Sequence, residues 1–378
     1  MKKIISLFSI IINIQFVIYS QPVFTNIPNF GTGISRSSDW GDYDNDGDWD
    51  LAVGNIEQDF IYTNDGNGNF IETACIDSVP TNFVKWIDIE GDGDIDLFIG
   101  NNGAGPNYIW YNQGNGNLIK TEFLDPLNIT DISNGDFDDD GDIDLVITSW
   151  NEDFAIILLN DGNNNYSPDF LNEFNGAISS AVFDVDNDTD MDIILGIGCC
   201  IDSSEVYKND GTGIFSLFSR FGDENAHMSI LSVADVDDDD DIDITSTTGD
   251  SDSKVCIYIN NGNGKFTSLI IDNINFSCAE FGDIDDDNDI DLVVGAFGCF
   301  SDRLAVYLNN NMSFTKSVIE TGGFTDWPVN AISDISLGDA DNDGDSDIAV
   351  MRFIWSSEFV TQEEQNTLFL NNTFQSIN

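Results

Sequence analysis

The residues most able to do chemistry in this chain are carboxylates set at alternate positions. Asp42-Tyr-Asp44-Asn-Asp46-Gly47-Asp48-Trp-Asp50 places five acids within nine residues, with a glycine at the sixth place. The same order returns at Asp88, Glu90, Asp92, Asp94 and Asp96, and at Asp136, Asp138, Asp140, Asp142 and Asp144. A fourth copy holds Asp184, Asp186, Asp188, Asp190 and Asp192, and a fifth holds Asp235, Asp237, Asp239, Asp241 and Asp243. The sixth runs through Asp283, Asp285, Asp287, Asp289 and Asp291, and the seventh through Asp339, Asp341, Asp343, Asp345 and Asp347. Acids at places 1, 3, 5 and 9, on a backbone that turns sharply at place 6, gather hard oxygen atoms about one point. Ca2+ accepts about six to eight such oxygens in flexible geometry, whereas Mg2+ demands a stricter octahedron and keeps its waters. Calcium is therefore the expected ion, up to seven in all, one per copy.

The motif opens like an EF-hand loop, D-x-[DN]-x-[DN]-G. It departs at place 12, where Val53, Ile99, Ile147, Leu195, Ser246, Val294 and Val350 stand instead of Glu. Those residues belong to a strand, so the loop joins strand to strand rather than helix to helix. Place 6 is Gly in copies one, two, three and seven, but Thr189, Asp240 and Asn288 in copies four, five and six. Asn and Asp tolerate left-handed backbone, whereas β-branched Thr resists it, which makes the fourth loop, Asp184 to Asp192, the weakest of the seven expected ion sites. In the second loop Glu90 is a longer ligand that is expected to shift its ion.

Successive loops begin 46 to 56 residues apart, so a unit of about fifty residues repeats seven times without linkers. Each loop leads into an apolar run such as Leu51-Ala-Val53 or Leu292-Val-Val294. After a gap of variable length comes a strand ending in Asn and a Gly/Asn-rich hairpin turn, as in Ile61-Tyr-Thr-Asn64-Asp-Gly-Asn-Gly-Asn-Phe70. A further short strand completes the unit. Four strands repeated seven times predict an all-β fold, a seven-bladed β-propeller of four-stranded blades with a calcium-binding loop in each. A solenoid is the alternative, but its repeats are usually shorter or helical, and no helical period is present. Residues 23–27 stand where a fourth strand would, so the N-terminal strand is expected to complete the last blade and cover open edges.

Composition limits the function. Against 69 Asp and Glu stand 12 Lys and Arg, a formal net charge of -57, which excludes ordinary nucleic-acid binding. Hydrophobic residues at 41% and aromatics at 12% separate the chain from disordered acidic polymers. The seven loops hold 39 of the acids, which without metal would repel one another, so ion binding is expected to be part of folding. Residues 1–20 read as a secretory signal peptide: Lys2 and Lys3, an apolar run over 4–18, then Tyr19-Ser20. That run falls short of the roughly 20 residues a span requires and is broken by Asn13 and Gln15. The mature chain, 21–378, is thus expected to be the propeller alone, without a transmembrane segment, and secreted, cell-surface or periplasmic. Six cysteines permit disulfides without choosing among them; Cys199-Cys200 is either a vicinal disulfide or two separately buried or paired residues. The single histidine, His227, has no nucleophile motif beside it, and neither HExxH nor a phosphate-binding loop occurs, so no catalytic residue and no enzyme activity are expected.

These loops resemble the FG-GAP or VCBS repeats that build the calcium-binding propeller of integrin alpha chains and of many bacterial surface proteins. Phe281-Gly282-Asp283 opens the sixth loop and Gly295-Ala296 follows, with Phe297 where the family often has Pro; Trp40-Gly41-Asp42 and Leu337-Gly338-Asp339 are looser versions. The resemblance covers essentially all of the mature chain. It implies that places 1, 3, 5 and 9 ligate through side chains and place 7, Asp48 in the first loop, through its backbone carbonyl. It also implies an extracellular binding or adhesion module for protein ligands. Recognition is expected on the face opposite the acidic loops, because the connections there vary in length while the loops do not. The distinctive segments are 100–107, 148–154 with Trp150, 196–205, and 352–366 with Trp355. A lectin with glycan sites between blades is the alternative. A calcium-dependent polysaccharide lyase or hydrolase is a more distant one, since fold does not decide function.

Overall fold

The computed structural model describes residues 22–30, 34–75, 79–124, 126–150, 152, 154–172, 176–197, 203–222, 228–248, 254–274, 276–296, 302–321, 330–354 and 366–372. These residues form seven antiparallel sheets of four strands each. Innermost strands of successive blades pack side by side, and the last of them, Asn330–Gly338, packs against the first, Ser35–Gly41, so the sheets close into a ring. The expected seven-bladed propeller is the fold. Among the described residues no helix is long and apolar enough to cross a membrane.

The strand after each acidic loop is covered on both faces by its neighbours. Asp50–Asn55, Asp96–Asn101, Asp144–Ser149, Asp192–Ile197 and Asp291–Ala296 are buried at every position. Continuous apolar runs, rather than alternation, are what such a strand requires. The outermost strands face solvent on one side; Leu118–Leu124 has four consecutive exposed residues.

Closure follows the expected route. Phe24–Phe30 pairs antiparallel with Asn366–Asn371, through Phe24 with Asn371 and Ile27 with Leu368, and is the fourth strand of blade seven. First and last blades are thereby tied through one sheet.

Blades approach closely where the residue before a loop is glycine. A Cβ on Gly338 of blade seven would lie 2.9 Å from the ring of Trp40 in blade one, and one on Gly282 would meet Leu337 at 2.6 Å. Trp40 is buried in that joint, and in the next one Tyr43 and Trp86 stack with centroids 5.4 Å apart. The glycines thus exist to admit the neighbouring blade's large side chain. Gly338→Ala overpacks a rigid indole and is expected to cost about 1–3 kcal/mol in denaturant unfolding; unchanged stability would show that the joint is looser than this.

Candidate metal centre

Every acidic loop is wound on its own carboxylates. In the first, Asp42 accepts from the main-chain N–H groups of Asp46 and Gly47, each at 3.0 Å, and Asp46 accepts from Asp48 N–H at 3.0 Å. Asp50 accepts from Tyr43 N–H at 3.3 Å with one oxygen and from Asn64 N–H at 2.8 Å with the other. The same bonds recur from place 1 to places 5 and 6 in the other loops, from Asp88 to Asp339. Such winding needs left-handed backbone at two places. Place 6 has φ of 95° at Gly47, 80° at Thr189, 69° at Asp240 and 69° at Asn288. Thr189 therefore adopts the conformation its branched side chain resists, at a cost of order 1–3 kcal/mol. Place 4 is left-handed as well, with φ of 60° at Asn45, 68° at Gly91 and 59° at Asp139. The sequence signal for it was the restriction of place 4 to Asn, Asp or Gly in all seven copies.

Place 3 differs from the rest. One oxygen, Oδ1, of Asp44, Asp138, Asp186, Asp237, Asp285 and Asp341 is buried with no hydrogen-bond partner. A buried carboxylate oxygen left in that state costs several kcal/mol unless a cation or donor meets it. Around it, single oxygens of Asp42, Asp44 and Asp50 lie within 4.8 Å of one another, as do those of Asp136, Asp138 and Asp144, and of Asp283, Asp285 and Asp291. Asp235, Asp237 and Asp239 converge likewise in blade five, and Asp184, Asp186, Asp188 and Asp192 in blade four. The donor set is all oxygen, anionic and arranged around an unsatisfied atom, which fits a hard divalent cation such as Ca2+. Places 1, 3, 5 and 9 would hold it, and it would supply the positive charge the loop lacks.

Glu90 is the exception at place 3: its Oε1 accepts from Asn164 of the next blade's turn at 2.9 Å. Place 7 also has a separate use. Asp48 Oδ1 accepts from Asn342 of blade seven at 2.5 Å, Asp94 from Asn45 at 2.6 Å, and Asp241 from Asn187 at 2.7 Å. In these three loops the side chain at place 7 bridges blades, which favours its carbonyl over its carboxylate as an ion ligand.

Loops are joined by a residue that in the sequence marks only the end of a strand. Asn112 Nδ2 donates to Tyr43 O of the preceding blade at 2.7 Å and to Ile95 O of its own loop at 3.2 Å, while its main-chain N–H meets Asp96. Asn64, Asn209, Asn260, Asn309 and Asn371 make the same link to Ala340, Phe137, Val185, Val236 and Ile284. The signal was one Asn after each loop, from 14 to 24 residues beyond place 9. A second set was also missed, at the hub. Asp39, Asp131 and Asp334 accept from Trp86, Ser180 and Ser38 N–H of the following blade, each at 2.7 Å. With Glu280 and Lys85 they line an axial cavity of about 530 Å3. Burial pushes Asp39 and Asp131 up to about 6, Asp334 to about 7 and Glu280 to about 8. Polar residues three or five places ahead of the loops were their only mark in the sequence.

On the opposite face, Trp150 is 54% exposed. His227, Trp355, Cys199 and Cys200 lie outside the described residues, as does the segment 1–20 expected to be a signal peptide.

Burial, with neighbouring carboxylates adding to it, raises the place 9 acids despite two main-chain donors each. Asp50, Asp96, Asp243 and Asp291 rise to about 7, Asp144 and Asp192 to about 6, and Asp347 to about 8. A carboxyl group whose folded pKa exceeds its unfolded one binds more protons when folded, so stability falls as pH climbs between the two values. In chelator the melting temperature should therefore drop steadily from pH 4.5 to pH 7.5. A rise over that range would contradict the burial of these groups.

An FG-GAP-like repeat family model matches residues 88–147 and 283–350, the second, third, sixth and seventh loops with their strands. No curated protein matches the chain significantly in sequence. Among solved structures, a chain of the crystal structure of BBS1N in complex with ARL6DN, soaked with mercury, is 13% identical with a TM-score of 0.61, covering 94% of this chain and 98% of that one. An Agrocybe aegerita lectin that recognises non-reducing terminal N-acetylglucosamine is 15% identical with a TM-score of 0.54, covering 80% of this chain and 82% of that one. At such identities the likeness is one of fold.

Proposed function

We propose that this propeller of FG-GAP-like repeats is a secreted calcium-binding module that recognises a protein ligand with the face opposite its acidic loops. The observation that carries the reading is the buried, partnerless place 3 oxygen repeated in six blades. Acidic loops given over to holding ions leave the other face for recognition, and Trp150 stands exposed there. Large amphipathic aromatics of this kind anchor protein interfaces at low entropic cost. The reading assigns no turnover, because a carboxylate held on Ca2+ is a poor general acid.

A glycan ligand is the second reading. Exposed tryptophan stacks on sugar rings as readily as on protein, and the fold is one on which the Agrocybe aegerita lectin recognises N-acetylglucosamine.

Chelation tests the calcium half. Each ion at a hundred times its dissociation constant contributes about 2.7 kcal/mol. EDTA should thus lower the melting temperature markedly at pH 7.5, and added Ca2+ should restore it; an identical curve in EDTA would sink the assignment. Trp150→Ala tests the other half. It should leave the melting curve unchanged and abolish binding, to a protein partner on the first reading or on a glycan array on the second, and undiminished binding would place recognition elsewhere.

A further inference from the structure

Blade four carries a cation of its own. Lys208 Nζ lies 2.5 Å from Asp186 Oδ2 and 2.9 Å from Asp188 Oδ2, at places 3 and 5 of the fourth loop. Lys208 stands immediately before the linking Asn209, where the other blades have Thr63, Tyr111, Leu159, Ile259, Leu308 and Leu370. None of those side chains can bring a positive charge to its loop. The lysine is also held from outside the loop, its ammonium 5.6 Å from the centre of the Phe218 ring on the outermost strand.

We propose that Lys208 acts as the built-in counter-ion of the fourth loop and takes the place of a divalent ion there. The inference rests on the calcium reading of the other loops and restricts it. An ammonium directly bonded to two of the carboxylates meant for an ion lowers their negative charge and repels a second cation beside it. Asp184, Asp186, Asp188 and Asp192 still converge, and Asp186 Oδ1 still has no partner. The ligand set is therefore intact, and removing the ammonium should open it to an ion.

Native mass spectrometry of the full chain titrated with CaCl2 counts ions as integers. Lys208→Met should saturate with one ion more than the wild type. Equal counts above zero in the two proteins would overturn the proposal while leaving the calcium reading in place; no bound calcium in either would overturn both. A measurement on the wild type alone guards against a variant that does not fold. After EDTA, amide hydrogen exchange should quicken in the calcium loops but stay slow over residues 184–192. Equal acceleration in all seven loops would also overturn the role given to Lys208.

Discussion

A carboxylate oxygen cannot be buried without something positive to face it, and this fold buries the same one six times. Other features of the loops follow from that demand. Places 1 and 9 engage both oxygens, and place 5 one, with main-chain N–H groups, which fixes the winding of the loop with left-handed backbone at places 4 and 6. Place 3 is left over by this arrangement. The loop is complete as a scaffold and incomplete as an electrostatic object.

The incompleteness reaches beyond each loop because the loops sit at the joints of the ring. Asp96 at place 9 receives the N–H of Asn112, and the same Asn reaches the carbonyl of Tyr43 in the blade before. Any disturbance of the carboxylates is thereby passed to the contact between blades. Hub acids such as Asp39 and Asp334 tie the inner strands in the same direction around the ring. Charge compensation in the loops and closure of the ring are consequently coupled, so that an ion held there, as proposed, would stiffen the whole ring.

Much of this was legible in the sequence. Seven acidic motifs at near-constant spacing fix the blade count, since strand pairing within one unit is local and each unit repeats the same punctuation. Residues 23–27 could be assigned to the last blade because a fourth strand was lacking there, and the pairing of Phe24–Phe30 with Asn366–Asn371 bears that out. What was not legible depends on contacts between units. Asn112 looks like a turn residue until the preceding blade's carbonyl is placed beside it, and Asp39 looks like a surface acid until the ring closes over it. Lys208 was one of a few scattered cations; only the hairpin that folds it back over its own blade's loop gives it a role. Thr189 was expected to resist the loop's conformation and instead adopts it, because Asp184 captures its N–H at 2.7 Å.

The most direct test of this account is anomalous scattering from crystals grown in Ca2+. Peaks should stand beside the place 3 oxygens of Asp44, Asp138, Asp237, Asp285 and Asp341, enclosed by the carboxylates of places 1, 5 and 9. Loops of the same shape with those oxygens facing only water would contradict it, because the buried charge would then need no ion.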